Sequence, residues 1–160
     1  VDKGEVRKAL LEAVEAEMEK AIATAEETRK GATHEESRPE NDKDTRGLEA
    51  SYLARGQAMR VEELGEALTR LRWVETKALG PDDPIGLGAL VDVEDEEGEV
   101  TTYFLVPVEG GRTLEVGGVT VKVITPAAPF GRALVGLREG DDFELRLRGE
   151  VRELVIDKVR

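Results

Sequence analysis

Two runs of residues spaced alternately three and four apart constrain this chain most. Leu11, Val14, Met18, Ala21 and Ala25 form the first, and Ala50, Ala54, Gln57, Val61, Leu64, Leu68 and Leu71 the second. Such spacing gathers side chains on one stripe of a helix and makes a coiled-coil seam. Pro39 lies between them; it lacks an amide donor and pushes Arg38 out of the helical region, so a helix arriving from the N-terminus ends there. Asn41 or Asp42 can cap a second helix, and Asp42 and Asp44 put negative charge where its dipole favours it. The expectation is an antiparallel helical hairpin over residues 1–78, with helices from Lys3 or Gly4 to about Ser37 and from about Asp44 to Lys77, and a tip near 38–44. Ala25 would face Ala54, and Leu11 would face Leu68 or Leu71, giving a finger about 45 to 50 Å long at the helical rise per residue. Trp73 is expected to be buried where the hairpin meets the rest of the chain.

Residues 78–84, ALGPDDP, break the pattern, and 79–84 read as a linker. Beyond them the spacing changes to alternation. Short strands are expected at Leu87–Val93, Val100–Val106, Leu114–Val116, Val119–Ile124, Phe143–Leu147 and Val151–Ile156, joined by turns at Glu97-Gly98, Gly110-Gly111, Gly117-Gly118 and Gly149. Pro126–Leu134 reads as a short helix closed by Gly136, able to cross one side of the sheet. The fold class is therefore α+β, a helical hairpin followed by a small α+β domain over 85–160.

Composition narrows the chemistry. The formal net charge is −12, with 23 Lys and Arg against 35 Asp and Glu, which argues against holding bare nucleic acid by phosphate neutralisation. It points instead to a basic protein surface or a hard cation. With no Cys and the single His34, a metal site would have to be built from carboxylates. No apolar run reaches membrane-spanning length and the charged start VDKGEVRK does not open a signal peptide, so a cytoplasmic protein without membrane attachment is expected.

The stretch TPAAPFGRALVGLREGDDFEL at 125–145 resembles the C-terminal domain of the bacterial Gre transcript-cleavage factors, whose pattern is close to S-P-x-G-R-A-L-x-G-x-x-x-G-D. Pro126, Gly131, Arg132, Ala133, Leu134, Gly136, Gly140 and Asp141 match it, with two extra residues between Pro126 and Gly131. Ala54-Arg55-Gly56-Gln57 also resembles a Gre segment, and the long hairpin before the motif extends the likeness over nearly the whole chain. The resemblance implies an accessory factor, not itself an enzyme, acting as a monomer on bacterial RNA polymerase. An FKBP-like globular domain would dock at the rim of the secondary channel, with Pro126, Gly131, Arg132, Gly136 and Asp141 as docking residues. The hairpin would reach toward the RNA 3′ end, where tip carboxylates share Mg2+ with the polymerase active site so that the polymerase cleaves backtracked RNA.

The likeness departs at the tip. The family pattern there is close to G-D-L-x-E-N-A-E-Y, with two acids three residues apart. Alignment on Ala54–Gln57 puts the first at Asp44 and the second on Gly47. The candidate tip acids are Asp44, Asp42, Glu40 and Glu49, with Asp44 and Asp42 as the metal ligands. Two other functions compete: a channel-binding regulator that does not support cleavage, and a peptide-binding or prolyl-isomerase module. The last would need an aromatic pocket built from Tyr103, Phe104, Phe130 and Phe143.

Overall fold

The computed structural model describes the backbone of residues 1–36 and 41–160, and their side chains except at 32–36, 41–46 and 50. Two helices open the chain, α1 at Lys3–Glu36 and α2 at Asn41–Arg72. Asp2 caps α1, its Oδ1 accepting from the Glu5 amide at 3.0 Å. The expected cap at Asn41 or Asp42 lies outside the described side chains. By contacts the chain divides into two compact units, Glu12–Thr69 and a second made of Val1–Leu11 with Arg70–Arg160.

In the unit Glu12–Thr69 the two helices lie side by side. Arg60 reaches Glu17 at 3.0 Å, and the methyl of Met18 lies 3.5 Å from where a Cβ on Gly65 would stand. Val14, Leu64, Ala67 and Leu68 are buried, while Ala21, Ala25, Ala54, Gln57 and Val61 are half-buried. Gln57 sits in this stripe with its Oε1 enclosed and no hydrogen-bond partner among the described residues. A fully exposed polar face and a half-covered seam are what the three-four spacing demands of a helix pair with no third partner.

The other unit holds a six-stranded mixed sheet: β1 (Leu90–Glu94), β2 (Val100–Leu105), β3 (Thr113–Val116), β4 (Val119–Ile124), β5 (Asp142–Leu147) and β6 (Glu150–Val159), with α3 (Pro129–Leu134) between β4 and β5. The order is β3-β4-β2-β1-β6-β5; β2 and β4 are parallel and every other pair antiparallel. Alternation gives the sheet two buried faces. Val91, Val93, Leu105, Leu145, Leu154, Ile156 and Val159 pack with Leu134 of α3 and with Ile85. Leu90, Phe104, Leu114, Val121 and Val123 are buried on the opposite face, in a unit that also buries Val6, Leu10, Leu71 and Val74. Two-residue turns at Gly117-Gly118 (φ 58° and 78°) and Arg148-Gly149 (φ 52° and 81°) close the β3–β4 and β5–β6 hairpins with both central residues left-handed.

Several expectations need correction. Leu10, fully buried, takes the place expected of Leu11, which is half-buried, because the stripe continues the spacing Lys3, Val6, Leu10, Val14 toward the N-terminus. α2 stops at Arg72 rather than Lys77. Trp73 is 83% exposed, not buried, because Leu71 and Val74 on either side take the inward positions. β1 begins at Leu90 rather than Leu87: a turn at Gly86–Ala89 precedes it, with Gly88 at φ 88° and its backbone so close to Glu75 that a Cβ would stand 2.0 Å from that carbonyl oxygen. α3 begins at Pro129, whose fixed φ suits a first helical position, and Pro126–Ala128 form a turn instead.

Candidate partner-docking surface and the helical tip

The segment from Thr125 to Asp141 is built on close backbone contacts. The Ala128 amide bonds the Thr125 carbonyl at 3.1 Å, so the chain turns sharply out of β4 before α3 starts. α3 then passes back over that turn. A Cβ on Gly131 would lie 2.0 Å from the Thr125 oxygen and 2.7 Å from its carbonyl carbon, so only glycine fits there. Past Leu134, Gly136 at φ 85° ends the helix; its amide bonds the Ile85 carbonyl and the Ile85 amide bonds the Leu137 carbonyl, each at 2.8 Å.

Asp141 closes the next turn from within. Its Oδ2 accepts from the Arg138 amide at 2.7 Å and its own amide bonds the Arg138 carbonyl at 3.0 Å, while Gly140, at φ 89°, donates to the Ile156 carbonyl. Arg138 extends to the Asp82 carbonyl at 2.9 Å and ties this turn to the segment before the sheet. Gly131, Gly136 and Asp141 thus shape the surface. Arg132 is exposed on it, with one guanidinium contact to the Ala127 carbonyl at 3.3 Å, and Val135 beside it is 48% exposed. Pro126 is half-buried in the turn.

The aromatics go to the sheet. Phe104 is fully buried. On the opposite face Phe130 of α3 packs against Tyr103 and Phe143, at centroid separations of 4.5 and 6.2 Å. Burial pushes the Tyr103 hydroxyl above its ordinary pKa, partly offset by its hydrogen bond with Thr101 and by Arg152.

At the tip, Glu40 and the side chains of Asp42 and Asp44 lie outside the described residues, as do those of His34, Glu35, Glu36, Arg38 and Arg46. Gly47 is described and buried, and Glu49 is exposed. At 3.6 residues per turn, position 49 is rotated about 140° from position 44, whereas position 47 shares its face. Among the described residues no group of three or more His, Asp or Glu side chains could hold a metal. Tyr52 is 62% exposed. No helix among the described residues is long and apolar enough to cross a membrane.

Comparison with known proteins agrees with this motif. Residues 80–160 match the family described as "Transcription elongation factor, GreA/GreB, C-term". The chain is 31% identical over 102 residues to "Transcription elongation factor GreA" of Methylococcus capsulatus, covering 63% of this chain and 61% of that protein. It is 30% identical over 100 residues to the same-named protein of a Jannaschia species, covering 62% and 60%. It thus spans about three fifths of the length of these relatives, which are named as elongation factors and not as enzymes. Among solved structures, Thermus aquaticus Gfh1 is similar at 27% identity, with a TM-score of 0.41 over 95% of this chain and 94% of that one. With half its length matched to that family and the glycine-built turn in place, the chain belongs to the GreA/GreB transcription elongation factors.

Proposed function

We propose that this protein binds bacterial RNA polymerase at the secondary channel, as a monomer in the cytoplasm, and occupies the channel with little or no stimulation of RNA cleavage. The C-terminal part, 85–160, is FKBP-like in this reading and supplies the docking surface around Arg132. The hairpin of 1–78, a coiled coil, enters toward the RNA 3′ end, with 79–84 as linker. The observation that carries the reading is the match of 80–160 to the Gre C-terminal family, preceded by two long helices that lie side by side. Weak cleavage follows from Gly47. With a glycine where the second acid belongs, a Mg2+ shared with the polymerase loses one ligand and one negative charge.

The test is cleavage of RNA in stalled, backtracked polymerase, with and without the protein. Gly47→Glu is expected to raise stimulation on the order of tenfold or more, the scale on which a lost supporting group acts at a metal site, and to lower the Mg2+ requirement. Gly47→Ala removes the helix-weakening glycine without adding a ligand. Equal behaviour of the two variants would assign the gain to helical order. Strong cleavage by the unmodified protein, unchanged in Asp44→Ala, would overturn the tip alignment.

A further inference from the structure

β6 is ten residues long, but its pairing with β1 ends at Glu94↔Val155. Residues 150–154 project beyond β1 and are laddered only to β5. The two-residue turn at Arg148-Gly149 fixes which way their backbone groups face. Leu147 and Glu150 close that hairpin as a bonded pair, so Glu150, Arg152 and Leu154 bond to β5, and Val151 and Glu153 turn their amides and carbonyls to the open side. One of these groups is already engaged. The Glu153 amide donates to Glu96 Oε1 at 2.9 Å, so a side-chain carboxylate from the β1–β2 turn stands where a neighbouring strand's carbonyl would be.

The space between that turn and the projecting edge is a groove of about 420 Å³, and its walls carry Asp95, Glu96, Glu97, Glu99, Glu150 and Glu153, with Arg152 the cation among the lining residues. The turn is held in shape from within: Asp95 Oδ1 accepts from the amides of both Glu97 and Glu99 at 2.9 Å. Val151, 49% exposed, lies on the edge itself. Carboxylates beside an open edge keep neutral and acidic strands from adding to it. The same charges favour one class of partner, a segment rich in Lys or Arg.

We propose that the edge of β6 at residues 150–154 is a strand-addition site for an extended basic segment of a partner protein. The segment displaces the Glu96 carboxylate, takes the Val151 and Glu153 backbone groups into a ladder, and sets its Lys or Arg side chains among the surrounding carboxylates. Five edge residues span about 17 Å, enough for a segment of about five residues. This site shares no residue with the turn bearing Arg132 and does not depend on the polymerase reading.

The probe is an acetylated, amidated hexapeptide of alternating Lys and Val, titrated into the full ¹⁵N-labelled chain. The Val151 and Glu153 amides are expected to shift and to gain protection from solvent exchange. A peptide of the same sequence, N-methylated at alternate residues, keeps the charge but cannot ladder and is expected to lose binding; a Glu-for-Lys peptide is expected not to bind. Val151→Pro, which removes an amide that faces away from β5, is expected to abolish the effect at Glu153. Replacing Glu97, Glu99 and Glu150 with Gln is expected to weaken binding about tenfold, the combined scale of three exposed charge pairs. Equal binding by the N-methylated peptide, shifts centred elsewhere, or no shift at millimolar peptide would each overturn the proposal.

Discussion

Gly131→Ala isolates the part of the motif that shapes the surface proposed for docking. The added Cβ would stand 2.0 Å from the Thr125 oxygen, so about 1 Å of separation must be created between α3 and the turn beneath it. The carbonyl cannot simply rotate away, because it also accepts from the Ala128 amide at 3.1 Å. Nor can α3 lift freely: Leu134 is fully buried and Gly136 and Leu137 are bonded to Ile85 on both sides. Overpacking against side chains costs about 1–3 kcal/mol, and a clash with backbone belongs at the upper end. For a chain of this size that lowers Tm by roughly 6–12 °C, at about 2–4 °C per kcal/mol. Thermal unfolding followed by circular dichroism reads it, with Arg132→Ala as the matched control. Arg132 is exposed and makes one contact at 3.3 Å, so its removal should shift stability by no more than about 0.5 kcal/mol. Gly131→Ala unfolding at or above the wild-type temperature would refute the close-approach argument. If it holds, then under the proposed docking a loss of polymerase binding in Gly131→Ala would report a damaged surface, and a loss in Arg132→Ala a lost contact.

Gln57→Leu should stabilise the helix pair by about 1–3 kcal/mol, since it removes an enclosed carbonyl oxygen with no partner, and Gln57→Glu should do the reverse; denaturant unfolding decides. Lys3 is buried, donates to the Lys77 carbonyl, and has its pKa lowered by that burial. The unfolded chain then binds more protons than the folded one between the lowered value and 10.5, so wild-type stability should rise across that window relative to Lys3→Met. Parallel pH profiles of the two proteins would exclude the idea.

Helix pair and strand positions were legible because each rests on a local rule. Three-four spacing marked Val14, Leu64, Leu68 and Leu71, and alternation with turn glycines marked the strands from Val100 to Leu147. What the sequence did not disclose depends on contacts across the fold. Nothing local says that β2 pairs in parallel with β4, since that requires a crossover through β3. Trp73 failed for a related reason. Hydrophobicity alone placed it inside, yet it stands just past the end of α2 at Arg72, where Leu71 and Val74 take the buried positions. The length of β6 beyond β1 was equally hidden, because a strand's overhang depends on where its neighbour ends.

The candidate site divides along the same line. In Pro126–Asp141 the residues that carried the resemblance are mostly those the backbone requires: Gly131 for a close approach, Gly136 and Gly140 for left-handed conformations, Asp141 for a turn. Residues set by the backbone in this way report fold more directly than partner. In the proposed docking, contact chemistry falls instead to exposed side chains such as Arg132, which no backbone rule dictates. The tip follows the opposite logic. Under the proposed function a carboxylate there would serve chemistry and not folding, so the chain can carry glycine at position 47 and still form α2 from Asn41 to Arg72. A family likeness rooted in the globular half is therefore compatible with a changed effect at the tip, and under the proposed function cleavage turns on Asp44 and Gly47 rather than on residues 80–160.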